Sequence, residues 1–230
     1  QASILFHPLS KTVFCGVKTT ATDKLQIEIA GEEFLLLADK AIHWPKEDAL
    51  IVSDLHFGKG GHFRRAGIPI PRGAFINDLN RLKILLETFN VSKVLFLGDL
   101  FHSLNNSECE EAGLFFKALD GISFELIPGN HDVLSLEKYG QLGLTVLGED
   151  HRIRNFRFVH EPVDPVKGFF LFCGHIHPGL VIAGNRIPCF WWSQTQMVLP
   201  SFGSFTGSVR VKYAPGDRLY GVLENSILEL

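Results

Sequence analysis

The chain has 230 residues, 46% of them hydrophobic, enough to bury a full core, and its formal net charge of −3 at pH 7 gives no global pull toward nucleic acid or anionic lipid. Any phosphate recognition must therefore be local. No apolar stretch approaches the roughly 18 to 20 residues that span a bilayer and no signal-peptide order opens the sequence, while Cys15, Cys109, Cys173 and Cys189 are scattered without a CxxC pair, which fits reduced thiols and a cytoplasmic location.

Residues 1–22, QASILFHPLSKTVFCGVKTTAT, differ in character from the rest of the chain, so the expected organisation is an N-terminal extension over 1–23 and one domain over 24–230. No repeat, low-complexity tract or Pro/Gly/Ser linker divides that domain. In KLQIEIAGEEFLLLADKAIHW, Leu25, Ile27 and Ile29 alternate as in a half-buried strand, and a glycine-containing turn leads to a second apolar run. ALIVSDLH and KVLFLGDL are continuous apolar runs, as expected of strands covered on both faces. Between them GAFINDLNRLKILLETF places Ile76, Leu79, Leu82, Leu86 and Phe89 at helical spacing. SECEEAGLFFKALDG opens with Ser107 and Glu110 at capping-box spacing and closes at Gly121, predicting a second helix, and FELIPGN a third strand. Strand and helix alternate to about residue 142; the remainder, through RIRNFRFVHEP, FFLFCGHIHPG, IPCFWWS and QMVLPSFGS, is nearly all strand and turn. The change predicts two packed sheets with helices outside, the second built mostly by the C-terminal half.

The ends of the apolar runs share a chemistry. IVSD ends on Asp54 with His56 beyond it, LFLGD on Asp99, ELIPGNHD on Asn130, His131 and Asp132, FRFVHE on His160, and LFCGHIH on His175 and His177. Singly, each has a plain reading: an Asp after a strand caps a helix or forms a turn, and a strand-end His is satisfied or exposed. Jointly they do not, because the carboxyl ends of buried strands in a layered α/β protein meet at one edge. Asp, His and Asn there make a set of oxygen and nitrogen donors suited to Mn²⁺, Fe or Zn²⁺, and the absence of cysteine argues against a structural zinc.

The ordered set D-x-H, GD, GNHD, strand-end His and GHxH resembles the calcineurin-like metallophosphoesterase superfamily from about residue 24 to the C-terminus. The resemblance implies an α/β (α+β) four-layer metallophosphoesterase fold, a two-sheet β-sandwich flanked by helices. It implies two divalent ions, Mn²⁺ first and Fe, Zn²⁺, Ni²⁺ or Mg²⁺ as alternatives. One would be held by Asp54, His56, Asp99 and His177, the other by Asp99, Asn130, His160 and His175, with Asp99 as the bridge. Two such ions sharing a hydroxide suit in-line attack on a phosphodiester, whose anionic oxygens repel nucleophiles. His131, beside Asn130, is the candidate to hydrogen-bond a phosphate oxygen or protonate the leaving alkoxide. Asp132 either fixes the orientation of that ring or is a turn carboxylate.

A narrower set, SDLHFGKGGHFRRAGIPIP, GDLFHS, GHIHPG, PCFW and LPSFGSFTGS, is similar to the bacterial DNA ligase-associated metallophosphoesterases. That branch is encoded beside DNA ligase and helicase genes, which implies an association with a ligase or helicase and a place in DNA repair. Ser201 and Ser208 depart from its pattern, at positions expected to touch no proposed ligand. Lys59, Arg64 and Arg65 put positive charge where a phosphate would arrive, with Arg64 as the fork-type oxyanion partner and Lys59 and Arg65 read as solvated. His102 is a substrate contact or a turn histidine, His62 a weaker candidate contact, and Trp191 and Trp192 either stack a base or join the core. Gly203 and Gly207 are read as sources of backbone freedom in a tight loop, and His7, His43 and His151 as surface or packing residues. The expected function is metal-dependent hydrolysis of a phosphodiester in a nucleotide, cyclic nucleotide or nucleic-acid end, with no membrane partner and a homodimer as the guess for assembly. The alternatives are a non-catalytic scaffold in a repair assembly and a nucleotide pyrophosphatase.

Overall fold

The structure, a computed structural model, describes residues 22–61, 73–102 and 107–230. The expected extension over 1–23 lies almost wholly outside the described residues, as do His7, Cys15, His62, Arg64 and Arg65.

The first sheet has seven strands in sequence order: β1 (Lys24–Ile29), β2 (Glu32–Leu37), β3 (Ala41–Trp44), β4 (Ala49–Val52), β5 (Lys93–Leu97), β6 (Ser123–Ile127) and β7 (Thr145–Val146). The first four form an antiparallel meander, opened by a two-residue hairpin turn at Ala30 and Gly31, both at positive φ. From β4 onward the pairing is parallel. Parallel neighbours need crossovers, and α1 (Gly73–Phe89), α2 (Ser107–Lys117) and α3 (Leu136–Gln141) lie in the three connections.

After α3 the chain is all strand: β8 (His151–Ile153), β9 (Phe156–Phe158), β10 (Phe170–Cys173), β11 (Pro178–Ile182), β12 (Asn185–Trp192), β13 (Gln196–Val198), β14 (Val209–Arg210), β15 (Arg218–Leu223) and β16 (Ser226–Glu229). They build a second sheet in the order β14-β11-β12-β13-β10-β9-β8, with β15 pairing β12 and β16 pairing β15. The two-sheet sandwich with helices outside is therefore as expected, and the switch from alternation to strands falls where predicted.

Alternation within each strand sorts side chains between layers. In β4, Leu50 and Val52 face the helices with Phe75, Leu82, Leu86, Phe116 and Tyr139. Ala49 and Ile51 face the second sheet, joining Phe34, Trp44, Phe156, Phe158, Phe172 and Phe190. At the centre of that inter-sheet layer Phe172 stacks on Phe158 at 5.5 Å and meets Phe34 at 5.0 Å. The described helices all cover the first sheet.

Two local expectations need correction. The buried line of α1 runs through Phe75, Asp78, Leu82, Leu85 and Leu86, while Ile76 is 48% exposed. Leu79, Leu82, Leu86 and Phe89 do face the core, and only Ile76 fails, because Phe75, the larger side chain, takes the inward position in the first turn against Phe57. At α2, Glu110 does not turn back to cap its own helix; it pairs with Lys138 of α3 at 2.6 Å. Cys109, Cys173 and Cys189 are buried and free of disulfides, and no described helix is long and apolar enough to cross a membrane.

Phe172→Ala removes a fully buried ring from the inter-sheet layer. It is expected to cost about 3–5 kcal/mol, read as a lowered urea midpoint at unchanged slope.

Candidate metal centre

The parallel strands deliver their carboxyl ends to one edge, and the loops beyond them are laced together by backbone bonds. Asp54 N–H donates to Gly98 O at 3.1 Å and His56 N–H to Asp99 O at 2.9 Å, joining the loops after β4 and β5. In the second sheet Gly174 N–H donates to His160 O at 2.9 Å, joining those after β9 and β10. The sheets meet across Asp54, whose Oδ2 accepts the His175 backbone N–H at 3.0 Å.

The local backbone is strained where the chemistry lies. Twelve non-glycine residues among those described have positive φ, and five are Asp54, His56, Asp99, His175 and His177. Left-handed conformations of this kind cost about 1–3 kcal/mol each and persist only when the surroundings over-determine them. The surroundings are tight. A Cβ on Gly98 would land in the His160 ring, at a backbone φ of +77° that already favours glycine, and one on Gly174 would overlap Ser53 Oγ and crowd Asp54.

Three groups of ligand-type atoms result; one joins His56 to His102 and His131, and the other two hold the expected carboxylates. The ligand-type atoms of Asp54, His56 and His177 lie within 4.8 Å of one another, as do those of Asp99, His160 and His175. Asp99 faces both: Oδ2 is 3.8 Å from His56 Nε2, and Oδ1 is 3.5 Å from His160 Nε2. His131 backbone N–H donates to Asp99 Oδ1 at 2.9 Å and fixes the carboxylate plane. Asp54 Oδ2 takes the Ser53 hydroxyl at 2.6 Å besides His175 N–H, which leaves Oδ1 turned to His177 Nε2 at 3.1 Å.

Several of these atoms are buried without a hydrogen-bond partner: Asp54 Oδ1, His177 Nε2 and both ring nitrogens of His56. Orphaned donors of this kind, mixed oxygen and imidazole nitrogen, fit a divalent cation. Protonation agrees. Burial, with Lys59 and neighbouring histidines adding to it, pushes the His56 ring down to about 3, so it is neutral and offers a lone pair. Burial alone would raise Asp54, but the close His177 ring and the Ser53 hydroxyl outweigh it and hold the carboxyl below its ordinary value. His160 Nδ1 lies 2.9 Å from Leu97 O, an acceptor only, so its proton sits there and the Nε2 lone pair faces His175 Nδ1 at 3.1 Å, where a shared cation would replace that contact.

Asn130 lines one cavity with His160, on the Asp99–His160–His175 side. His131 and His102 stand together toward solvent, their rings 4.7 Å apart and each 5.5 Å from His56. Asp132 is the turn carboxylate of its two readings: its oxygens accept the backbone N–H groups of Gly129, Leu100 and Phe101 at 3.0–3.1 Å, tying the loop after β6 to that after β5. Burial pushes it up to about 6 against those three amides.

Other expectations change. Lys59 is half-buried, not solvated, and burial lowers its pKa against the opposing charge of Asp99. Ser201 does bear on an expected ligand, since its hydroxyl donates to Asp54 O at 2.6 Å. Gly203 is required by close approach: a Cβ there would strike Leu55 O. Trp191 donates to Asp217 at 2.8 Å and Trp192 lies under Arg218, so both are engaged in packing. His43 packs on Phe89 as a packing histidine should. Sequence reasoning missed Ser53, whose one signal is its place directly before Asp54.

The family model described as calcineurin-like phosphoesterase matches residues 49–203, the span holding every residue of both clusters. The crystal structure of Pseudomonas putida nuclease MPE superposes with a TM-score of 0.78 at 31% identity, covering 90% of this chain and 100% of that one. Yfce, a phosphoesterase from E. coli, is more distant, with a TM-score of 0.40 at 12% identity over 76% of this chain and 88% of its own. No curated protein sequence matches significantly. From the matched span and the 31% identity, the chain belongs to the calcineurin-like phosphoesterase family and is a metal-dependent phosphoester hydrolase.

Proposed function

We propose that the chain is a phosphodiesterase acting on a nucleotide or nucleic-acid end, with two divalent cations, Mn²⁺ first, held by Asp54, His56, Asp99 and His177 and by Asp99, Asn130, His160 and His175. The observation that carries this reading is Asp99, buried between the clusters with one oxygen toward each. Two cations held so would ionise a water near neutral pH and neutralise the phosphoryl oxygens. Mn²⁺ suits a donor set of carboxylate, imidazole and amide oxygen.

The protein's own part is to hold and to proton-transfer. Ser53 and the His175 amide occupy Asp54 Oδ2, so Oδ1 is the atom the carboxylate would offer a cation. The Leu97 carbonyl sets the His160 tautomer. His131 is the general-acid candidate: its ring is 46% exposed and 4.0 Å from Asp99 Oδ2, open to a substrate's leaving oxygen. His102 beside it would bind the substrate, and Arg64, outside the described residues, would take a phosphate oxygen. Asp132 serves by fixing the loops that carry Asp99 and His131, in place of a direct catalytic role. The nuclease named among the structural likenesses supports a nucleic-acid substrate; a repair role beside a ligase or helicase rests on the branch resemblance.

Chelator-stripped protein is expected to lose hydrolysis of bis-p-nitrophenyl phosphate and recover it with Mn²⁺. Asp99→Ala and Asn130→Ala should each lower kcat by more than about a hundredfold with the fold retained by circular dichroism. Turnover near wild type in either, at matched folding, overturns the assignment. A second test reads geometry. Gly174→Ala must push Ser53 and Asp54 aside, so it should abolish tight Mn²⁺ binding in calorimetry, whereas Gly140→Ala, with open space around it in α3, should leave binding intact.

A further inference from the structure

A buried carboxylate interrupts the apolar stripe of α1. Asp78 lies between Phe75 and Leu82 on the inward face, 3% exposed. A leucine would pack there at least as well, because a buried charge is tolerated only when fully partnered. Asp78 is partnered by one loop and by an arginine one turn on in its own helix. It accepts the Ser204 backbone N–H at 2.9 Å and the Ser204 hydroxyl at 2.5 Å. Arg81 Nη2 stands 3.1 Å from its Oδ1. Arg81 in turn lies 4.0 Å over the Phe202 ring and donates to the Phe202 carbonyl.

The same loop, 199–204, grips the backbone of the metal centre from its other side. Phe202 N–H donates to Ser53 O at 2.8 Å, Gly203 N–H to Asp54 O at 3.2 Å, and Ser201 Oγ to Asp54 O at 2.6 Å. Asp54 sits at a φ of 55°. A residue so strained relaxes toward ordinary geometry when its carbonyl is released.

We infer that Asp78, with Arg81, is a positioning residue for the metal centre, acting through loop 199–204 on the strained backbone of Asp54; the inference rests on the two-cation reading above. Neither residue belongs to either cluster. Their effect is carried by hydrogen bonds from helix to loop, through the loop's own backbone, and by hydrogen bonds from the loop to Ser53 and Asp54, and the loss of outer partners costs roughly 10- to 100-fold in metal affinity.

The test is calorimetric titration of Mn²⁺ into the chelator-stripped full chain, with Tm measured alongside, for wild type, Asp78→Ala, Asp78→Asn and Leu82→Ala. Asp78→Ala should weaken binding roughly 10- to 100-fold. Asp78→Asn, which keeps an oxygen to accept Ser204 N–H, should weaken it less. Leu82→Ala, a core truncation on the same helix face, should lower Tm yet keep the wild-type dissociation constant. Wild-type affinity in Asp78→Ala, or equal weakening in Leu82→Ala, overturns the inference and leaves the two-cation reading standing. Should Asp78→Ala not fold, Asp78→Asn against Leu82→Ala decides by the same criterion. No Mn²⁺ binding by the wild type overturns the two-cation reading and the inference with it.

Discussion

Two carboxylates, Asp54 and Asp99, are buried at 0% and 3% exposure, and their ion-pair neighbours among the described residues are all histidines. A buried anion is costly unless positive charge and hydrogen bonds meet it. Here the hydrogen bonds come from the protein: a serine hydroxyl and one backbone amide for Asp54, one backbone amide for Asp99. Opposite charge from a lysine reaches Asp99 through Lys59, and the neutral His56 ring contributes only lone pairs. The architecture around the carboxylates therefore has the form of a cation site with the cation's charge built into its balance.

Holding that arrangement sets terms for the rest of the fold. Parallel strands from both sheets end at the same level, the loops beyond them adopt left-handed conformations, and glycines stand where neighbouring loops touch. Each of these weakens stability locally, and the inter-sheet aromatic layer and the helix-side core offset it. Polar groups set into those cores are the exceptions worth explaining. Asp132 stitches two loops through three amides, and Asp78 grips a third loop from the far side. In both cases a buried carboxylate gathers backbone donors that a bare loop would leave unmet.

Much of this is legible in the sequence. Continuous apolar runs ending on Asp54, Asp99 and His160 foretell parallel strands with their ends at one edge, because burial on both faces and a polar terminus leave little else for them to be. Helix α1 is legible to its bounds, Gly73–Phe89, and along most of its inward face, but not in its first turn, where Ile76 and Phe75 both fit a period of 3.6 and packing against Phe57 decides between them. Ser53 escapes notice because a serine next to an aspartate is an ordinary pair until the fold closes round it, and the role of Ser201 is misread because its partner lies 147 residues away. Asp132 has two readings, and only three-dimensional proximity to Leu100 and Phe101 chooses one. Asp78 does carry a signal, a charge at a core position of the helix, that periodicity alone treats as noise.

The closing of the sandwich depends on contacts far apart in the chain. Thr22 bridges Ile227, and the face of the first sheet bearing Phe34, Leu36, Trp44, Ile51 and Leu95 is covered, among the described residues, by the second half of the chain, from Leu147 and β8 onward. During synthesis the nascent first sheet would emerge from the ribosome with that aromatic face bare until most of the second half had emerged too. Such a delay exposes unpaired apolar surface to self-association. The metal centre, assembled from both halves, would then be among the last parts of the molecule to exist, and its completion would mark a chain that had escaped that hazard.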